Sequence, residues 1–517
     1  MQSPSPPAPH ATARPDPADD INAPVESRLL RSAPWIALGV SLAILAGYLT
    51  TGVQLFADGG FFAFAFLTGD PWGAHFANIP ARATAFLVTI VPPWLWARVG
   101  DPSDAIRLYG LIFGLLPLAG LAATWAIAGN RRILLFCALS TIVVLPASVF
   151  FPSETLVTHA LFWPLFAFLW VNRAPAALPA FLLMLALGFS HEGGMGLLVL
   201  TVAFLAVCRR AGPVVIGAGL AVLVLWLSTK LLVQPVHAAT RDILVFNMLG
   251  VVNPVGIIRP LSVAILAGVV SAWWLLGREA ADEPPLPRLL LVVGLALVPS
   301  AAILAAADLA FVGRHDNLLV GRYNFRTLLL GSLALFLLVL TVMSLPEAQR
   351  PAPVRRLIGW AAARTRRAPA LIFATMLIAT ACHAMDGANF LLSWRAYAQE
   401  IRAIARGGTA PLPAYAEVLS RAPRAAPERL QRPGRAWAMS WDWTDPFLSV
   451  VLALPQPARA LVYRPAETYA PLSCAMMRDA DRTAVRLPAE SYGLLVAYMC
   501  EERGAAEVEG GSAWRRR

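Results

Sequence analysis

The feature that most constrains this chain is a series of apolar segments, many long enough to cross a lipid bilayer, that recurs from Pro34 to Phe390. A helical span needs about 20 apolar residues. Hydrocarbon offers no partner to backbone polar groups, so a segment that spans it must be an α-helix. Of the 517 residues, 58% are hydrophobic and 14% are charged, whereas an average soluble domain is about 25% charged. We therefore expect an all-α polytopic membrane protein with the lipid bilayer as its main partner.

The apolar pattern predicts about eleven transmembrane helices. We place them at residues 34–56, 106–128, 133–150, 155–172, 176–190, 194–208, 212–232, 258–277, 288–307, 322–343 and 369–390. The first outer loop is long, at residues 57–105, and contains an apolar stretch from Ala83 to Ala97 that Pro92-Pro93 interrupts. A stretch of that length suits a juxtamembrane helix at the interface better than a span.

Arginines between the spans predict the orientation. If the stretch from Ala83 to Ala97 lies on the surface, then Arg131-Arg132, Arg209-Arg210 and the arginine-rich loop 350–367 share one side. The positive-inside rule makes that side cytoplasmic, together with the N-terminus. Lys230 is the only lysine, and this preference for arginine suggests a GC-rich bacterial genome. We therefore expect a bacterial inner membrane protein with a periplasmic C-terminus.

Three regions follow from this topology. Residues 1–30 are rich in Pro, Ala and Asp and are expected to form a disordered cytoplasmic leader, residues 31–390 the multi-pass domain, and residues 391–517 a small periplasmic tail. The tail is expected to be an α/β or a helical domain, with helices at 393–406 and from about Thr444, and strands at 460–463 and 492–498.

The net charge of +11 does not indicate nucleic acid as a partner. Most arginines lie between apolar helices or in the tail, and basic residues between helices set the topology of a membrane protein.

Two cysteines, Cys474 and Cys500, lie in the tail. In an oxidising compartment they are candidates for a disulfide, which would stabilise the tail by about 3 kcal/mol. Two unpaired thiols are the alternative.

Asp58 is the most suggestive acidic residue, because it directly follows the first span in the motif FADGGFF. Glycines allow a sharp turn and a close backbone approach to a ligand. A partly buried carboxylate at that depth can serve as a general base. The alternative is that Asp58 and its glycines only form a turn.

Glu154, in the motif FPSET, is a second acidic candidate on the same side. If it converges with Asp58, it either binds a divalent cation or orients an acceptor. The alternative is a first-turn glutamate that stabilises the helix after a Ser153 cap. No motif specifies a cofactor or a set of metal ligands. A divalent cation is the only cofactor that these two carboxylates suggest.

Basic residues that suit a phosphate group begin a late span. Arg322 and Arg326, in GRYNFR with Tyr323, are four positions apart and share a helix face. Two guanidiniums near a helix N-terminus favour a phosphate. Lys230, near the outer end of its own span, is a further candidate for a lipid phosphate. Interfacial anchoring and snorkelling are the alternatives.

Other polar residues of the outer loops are candidates for binding the acceptor or the sugar. Trp441 and Trp443 flank an aspartate in WDWTDP, and their faces suit stacking on a sugar, although tryptophan also anchors proteins at the membrane interface. The remaining candidates are Asp70, His75, Arg82, His191 and Glu192.

On these residues the chain resembles the GT-C type integral membrane glycosyltransferases, which include the protein mannosyltransferases and the lipid A aminoarabinose transferases. The resemblance covers residues 34–390. In that family an acidic residue after the first span acts as the base or orients the acceptor, which matches Asp58, and a second acidic residue in a following outer loop matches Glu154. Many members carry paired acidic residues after the first span, whereas Asp58 is followed by two glycines.

The resemblance implies transfer of a sugar from a polyprenyl-phosphate donor to an envelope glycan or lipid on the periplasmic face. Basic residues near a late span then contact the donor phosphate, which matches Arg322 and Arg326. Three other functions remain open: a transporter or flippase of a lipid-linked or amphipathic substrate, a membrane acyltransferase, and a non-enzymatic protein of envelope assembly. A transporter predicts charges deep within spans, but here most charges lie at predicted helix ends.

Overall fold

The structure is a computed structural model of the full chain. It describes residues 25–502, except for 75–79, 149–151, 173, 234–259, 278–283, 311–314, 346–348, 354, 357–367, 408–443, 463–471 and 473. Within those residues it is helical and contains no β-strand. The prediction of an all-α fold is therefore confirmed for the described part of the chain.

The described α-helices are numbered in chain order. They are α1 Ala33–Thr51, α2 Asp58–Leu67, α3 Pro71–Ala74, α4 Ala83–Thr89, α5 Val91–Val99, α6 Pro102–Ala128, α7 Arg132–Val143, α8 Glu154–Val171, α9 Ala177–Gly188, α10 Glu192–Val207, α11 Pro213–Leu232, α12 Pro260–Gly277, α13 Leu286–Ala310, α14 His315–Ser344, α15 Ala368–Ala405, α16 Asp445–Ala453, α17 Cys474–Asp479 and α18 Ala489–Ala497. Short 3-10 turns occur at Leu30–Ser32, Val53–Leu55, Pro80–Arg82 and Leu145–Ala147.

A helix lies at each of the eleven predicted spans. Among the described residues, six helices are long and apolar enough to cross a membrane: Leu30–Thr51, Pro102–Ala128, Glu154–Val171, Pro213–Leu232, Leu286–Ala307 and Ala368–Ala405. The other apolar helices, such as α9 and α10, have only 10–17 residues in their apolar part. The structure thus supports a helical membrane protein, and the count of eleven spans stays a prediction.

Two apolar cores explain how the helices assemble. One core contains residues of α1 and of every helix from α6 to α15, with buried tryptophans such as Trp163 and Trp170 on α8. Large apolar side chains that face away from this bundle remain exposed, for example Leu220 on α11 and Leu291 on α13. An exposed apolar surface of this kind is what lipid would cover.

The second core lies around α2, and it includes the tail. Every residue of α2 is buried, as is every residue of α16. Phe447 of α16 packs against Phe61 and Phe64 of α2, with ring centroids 5.0 and 4.9 Å apart. The tail is therefore part of the same apolar core as the segment between α1 and α6.

The predicted juxtamembrane stretch forms two helices, α4 and α5, which meet at Ile90, two residues before the Pro92-Pro93 pair. Their apolar side chains are unusually exposed, with Leu87 at 60% and Val99 at 87%. Arg98 lies over the ring of Trp94, 5.4 Å from its centroid. Exposed apolar groups beside tryptophan and arginine are typical of a helix at the membrane interface.

The tail differs from the sequence prediction in two ways. The expected helix at 393–406 is the continuation of α15, so the predicted boundary at residue 391 falls inside one helix of 38 residues. The expected strand at 492–498 is wrong, because this segment belongs to α18 and the π-helix Tyr498–Glu502. Buried Ser491, Tyr492 and Leu495 follow helical spacing, one and four residues apart. The α/β alternative is therefore not seen in the described part of the tail.

Candidate functional site

Asp58 begins α2, the buried helix that follows the first span. Asp58 is only 2% exposed. The residue before it, Ala57, has φ 52° and ψ −121°, a conformation that L-residues with a side chain rarely adopt. Strained backbone of this kind persists where the surrounding structure enforces it, and it clusters at functional sites. The carboxylate is thus held in a fixed, water-poor place at the N-terminus of a helix.

Gly59 explains why the turn needs the glycines of FADGGFF. A Cβ atom at this position would overlap the carbonyl oxygen of Gln54 and would lie 2.8 Å from Cγ of Pro152. The backbone after Asp58 therefore packs directly on two other segments. One of them is the segment that leads into α8, at whose first residue Glu154 lies.

Glu154 is the first acid of a buried ionic network. Its residue is 4% exposed, and its Oε1 lies 2.9 Å from Nη1 of Arg82. Nε of the same guanidinium lies 3.1 Å from Oε2 of Glu192. Arg82, in the 3-10 turn before α4, is itself only 7% exposed. One buried arginine therefore joins the segment between α1 and α6 to the N-termini of α8 and α10.

Lys230 and His191 complete the network around Glu192. Nζ of Lys230, near the end of α11, lies 3.0 Å from Oε1 of Glu192 and 5.5 Å from the ring centroid of Trp226. Nε2 of His191 lies 3.7 Å from Oε2 of Glu192, while its Nδ1 accepts a hydrogen bond from the backbone N–H of Gly193 and caps α10. Two carboxylates, Glu154 and Glu192, thus face two basic side chains, Arg82 and Lys230.

The carboxylates of Glu154 and Glu192 stabilise the positive charge of Arg82. Burial alone acts to lower the pKa of this guanidinium, but the nearby carboxylates of Glu154 and Glu192 raise it above its usual value. A guanidinium in this setting stays charged at every pH at which the protein is folded. Its planar donors bridge two carboxylates that would otherwise repel each other.

Tyr109 and Gln54 are further buried polar residues of this core. Tyr109, on α6, is fully buried, and its ring centroid lies 5.4 Å from that of Phe66 on α2. Beside it, the side-chain amide of Gln54 donates to the carbonyl of Ile106 at 3.4 Å. Neither Tyr109 nor Gln54 was predicted from the sequence as a site residue. A single amide in an otherwise apolar stretch, four residues before Asp58, is the signal that could have singled out Gln54.

Several predicted site residues lie elsewhere. Asp70 is exposed beyond the far end of α2 and accepts a hydrogen bond from the backbone N–H of Gly73 at 2.8 Å, so it caps a short turn. His75, Trp441 and Trp443 lie outside the described residues. Three further residues, Arg322, Tyr323 and Arg326, fall on α14, but only their backbone is described.

Cys474 and Cys500 form a disulfide with Cα atoms 4.9 Å apart. It connects α17 to the π-helix that follows α18. Within the described part of the chain, no three residues of the His, Cys, Asp and Glu types are arranged to hold a metal ion.

An apolar groove between α1 and α15 approaches this site from the side. Its volume is about 550 Å³, and its walls carry small residues such as Gly39, Gly47 and Gly387. Its lining also includes Tyr48 and Val53, the second of which directly precedes Gln54. The groove therefore leads along the first span towards the turn that carries Asp58.

Comparison with known proteins gives no further guide to the site, because no family model, no curated protein and no solved structure matches this chain.

Proposed function

We propose that this protein is a membrane glycosyltransferase that moves a sugar from a polyprenyl-phosphate donor to an envelope glycan or lipid on the periplasmic face. The observation that carries the proposal is the buried carboxylate of Asp58. It follows a strained backbone residue directly after the first apolar helix, and the next residue, Gly59, packs against Pro152 in the segment that leads to a second buried carboxylate, Glu154. A carboxylate held in this way suits a general base that acts on a hydroxyl group.

The reaction we infer is a direct displacement at the anomeric carbon with inversion. The acceptor oxygen forms the new glycosidic bond while the bond between the anomeric carbon and the phosphate oxygen breaks. Asp58 takes the proton of the acceptor hydroxyl, and polyprenyl phosphate leaves with the electron pair. Glu154, held by Arg82 at 2.9 Å, orients the acceptor side of the site.

The apolar groove between α1 and α15 supports a lipid-linked donor. Its occupant in this proposal is the polyprenyl chain, which enters from the bilayer and brings the phosphate to the end near Tyr48 and Val53. We assign the phosphate to Arg322 and Arg326 of α14. Lys230 is the weaker candidate for that role, because it lies 3.0 Å from Glu192 and already has a partner of opposite charge.

The same proposal places the protein in a bacterial inner membrane with the tail in the periplasm. The disulfide between Cys474 and Cys500 supports this orientation, since disulfides persist in oxidising compartments such as the periplasm. The ionic network does not require a divalent cation, because Arg82 and Lys230 already balance Glu154 and Glu192.

The test is to delete the gene in its host and compare lipid-linked sugars and envelope glycans by mass spectrometry, with and without the wild-type gene supplied in trans. The proposal predicts that one glycan or lipid loses a fixed sugar mass and that one lipid-linked sugar accumulates. If neither pool changes, the proposal is wrong, and a role in envelope assembly becomes the better account.

A further inference from the structure

The tail helix α16 packs directly on the helix that begins with Asp58. Leu448 of α16 lies so close to α2 that a Cβ atom added at Gly60 would meet its Cβ at 3.3 Å. The ring centroid of Phe447, the residue before it, lies 5.0 Å from that of Phe61. Both residues of α16 are 0% exposed. The first turn of α2 is therefore covered by the tail.

The chain on the other side of the strained turn packs on α15. Phe56, two residues before Asp58, is 0% exposed. Its ring centroid lies 5.0 Å from that of Phe390 and 5.7 Å from that of Trp394, both on α15. Helix α15 thus contacts the chain just before the strained Ala57, and α16 contacts it just after Asp58.

Polar contacts from α15 fix α16 at both of its ends. At the N-terminus, the hydroxyl of Tyr397 donates to Oδ1 of Asp445 at 2.8 Å, and these residues are 4% and 3% exposed. At the C-terminus, Arg406 donates from Nε to the carbonyl of Ala453 at 3.0 Å and from Nη2 to that of Leu454 at 2.9 Å. The last carbonyls of a helix have no partner within it, and the helix dipole favours a cation beside them.

These polar contacts select one position of α16 along α15. The hydrophobic effect is not directional, so apolar surfaces such as those of α2 and α16 can pack in more than one register. Hydrogen bonds are directional, and those of Tyr397 and Arg406 are made in one register. Tyr397 is three positions after Trp394, so it shares the face of α15 that packs on Phe56. The position of α16 on α15 therefore determines the place of the turn between Phe56 and α2.

We infer that Tyr397, Asp445 and Arg406 are positioning residues, which hold the turn that carries the carboxylate of Asp58. They act through the packing of α15 and α16 and not through contact with a substrate. The inference rests on the proposed function and deepens it, because it gives the C-terminal tail a part in the reaction.

The experiment measures hydrogen–deuterium exchange of the backbone of residues 55–67 in the full protein, purified in detergent. Two amides of this segment report directly on the turn. The N–H of Gly59 donates to the carbonyl of Phe56 at 3.0 Å, and the N–H of Gly60 donates to that of Ala57 at 3.3 Å. Local opening of the turn exposes these amides to exchange.

Tyr397→Phe and Arg406→Met should each speed this exchange about two- to tenfold, as expected for lost hydrogen bonds that keep α16 in place. The control for the first is Tyr492→Phe, whose hydroxyl is also in a residue 4% exposed and donates to the carbonyl of Met477 at 2.9 Å. The control for the second is Arg350→Met, because Arg350 also donates to two backbone carbonyls, at 2.9 and 2.8 Å, at the end of α14. Neither control should change exchange in residues 55–67.

Two substitutions of Asp445 separate positioning from a direct part in the chemistry. Asp445→Asn keeps an oxygen that accepts the hydroxyl of Tyr397 but carries no charge, whereas Asp445→Leu removes the acceptor. We expect Asp445→Asn to keep the slow exchange and the sugar transfer of the wild type, and Asp445→Leu to lose both. Loss of transfer in Asp445→Asn with unchanged exchange would overturn the positioning role of this residue.

Sugar transfer is measured as the initial rate in membranes of the deletion strain that carry each variant at the wild-type level. Tyr397→Phe and Arg406→Met should be about tenfold slower than their controls, because a displacement of about 1 Å at a catalytic group can lower a rate about 100-fold. If exchange in residues 55–67 is unchanged in both variants, the inference is overturned. Faster exchange with the wild-type rate of transfer also overturns it. If the wild type itself transfers no sugar, the proposed function fails, and the exchange measurement still decides whether these residues hold the turn.

Discussion

Replacement of Arg82 by leucine tests the ionic network most sharply. The guanidinium is 8% exposed, and it contacts Glu154 at 2.9 Å and Glu192 at 3.1 Å. Without it, two carboxylates that are 5% and 14% exposed share a single cation, Lys230, which is 29% exposed and contacts only one of them among the described ion pairs. Removal of one partner from a buried ion pair costs about 3–5 kcal/mol, because the other charge stays buried.

The matched control is Arg107→Leu. Arg107 forms an ion pair of the same length, 2.9 Å, with Asp104 on α6, but their side chains are 78% and 46% exposed. An exposed pair of this kind contributes about 0–1 kcal/mol. The free energy of unfolding can be measured by SDS titration in mixed micelles, with tryptophan fluorescence as the signal. If Arg82→Leu lowers the free energy of unfolding no more than Arg107→Leu does, the buried network does not stabilise the fold.

A double variant separates charge balance from packing. Glu154→Gln added to Arg82→Leu leaves Glu192 facing Lys230, one acid and one base. We expect the double variant to recover part of the stability that Arg82→Leu loses, because the unbalanced buried charge is gone. A double variant less stable than Arg82→Leu would show that shape, and not charge, governs this cluster.

Three further outcomes follow from the packing. Phe447→Ala should destabilise the protein by about 3–5 kcal/mol, since Phe447 is 0% exposed against α2, and the same SDS titration measures it. Gly59→Ala should abolish sugar transfer, because the added Cβ would overlap the backbone carbonyl of Gln54, and an active variant would refute the tight turn. In the control Gly217→Ala on α11, the added Cβ meets nothing within 4 Å and should stabilise the helix by about 0.5–1 kcal/mol. Cys474→Ser should lower the stability of the tail by about 3 kcal/mol, measured by proteolysis against the wild type, and equal cleavage would contradict this.

Much of the fold could be predicted from the sequence because lipid imposes a simple rule on apolar segments. Helices lie at all the predicted spans, and the break in the juxtamembrane stretch occurs where Pro92-Pro93 indicated. The strand predicted at 492–498 failed because a short apolar run has no reliable period on its own. Its helical form is fixed by tertiary contacts, such as the hydrogen bond from Tyr492 to Met477.

The candidate site could be predicted only residue by residue. Arg82, Glu154, Glu192 and Lys230 were each singled out, yet their convergence joins residues up to 148 positions apart, and spacing along the chain carries no information about it. The ion pair between Lys230 and Glu192 cannot be read from the sequence. The prediction that Lys230 binds a phosphate therefore did not take this partner into account. Tyr109 was missed because a tyrosine within an apolar span is more often a packing residue.

In the proposed function, the carboxylate of Asp58 acts directly in sugar transfer. The most direct test is to supply Asp58→Asn to the deletion strain and measure the affected glycan by mass spectrometry. The matched control is Asp104→Asn, an acid at the start of α6 whose side chain is 46% exposed, and both variants must reach the wild-type level in the membrane. We expect that Asp104→Asn restores the missing sugar and that Asp58→Asn does not. Full restoration of the glycan by Asp58→Asn would contradict it.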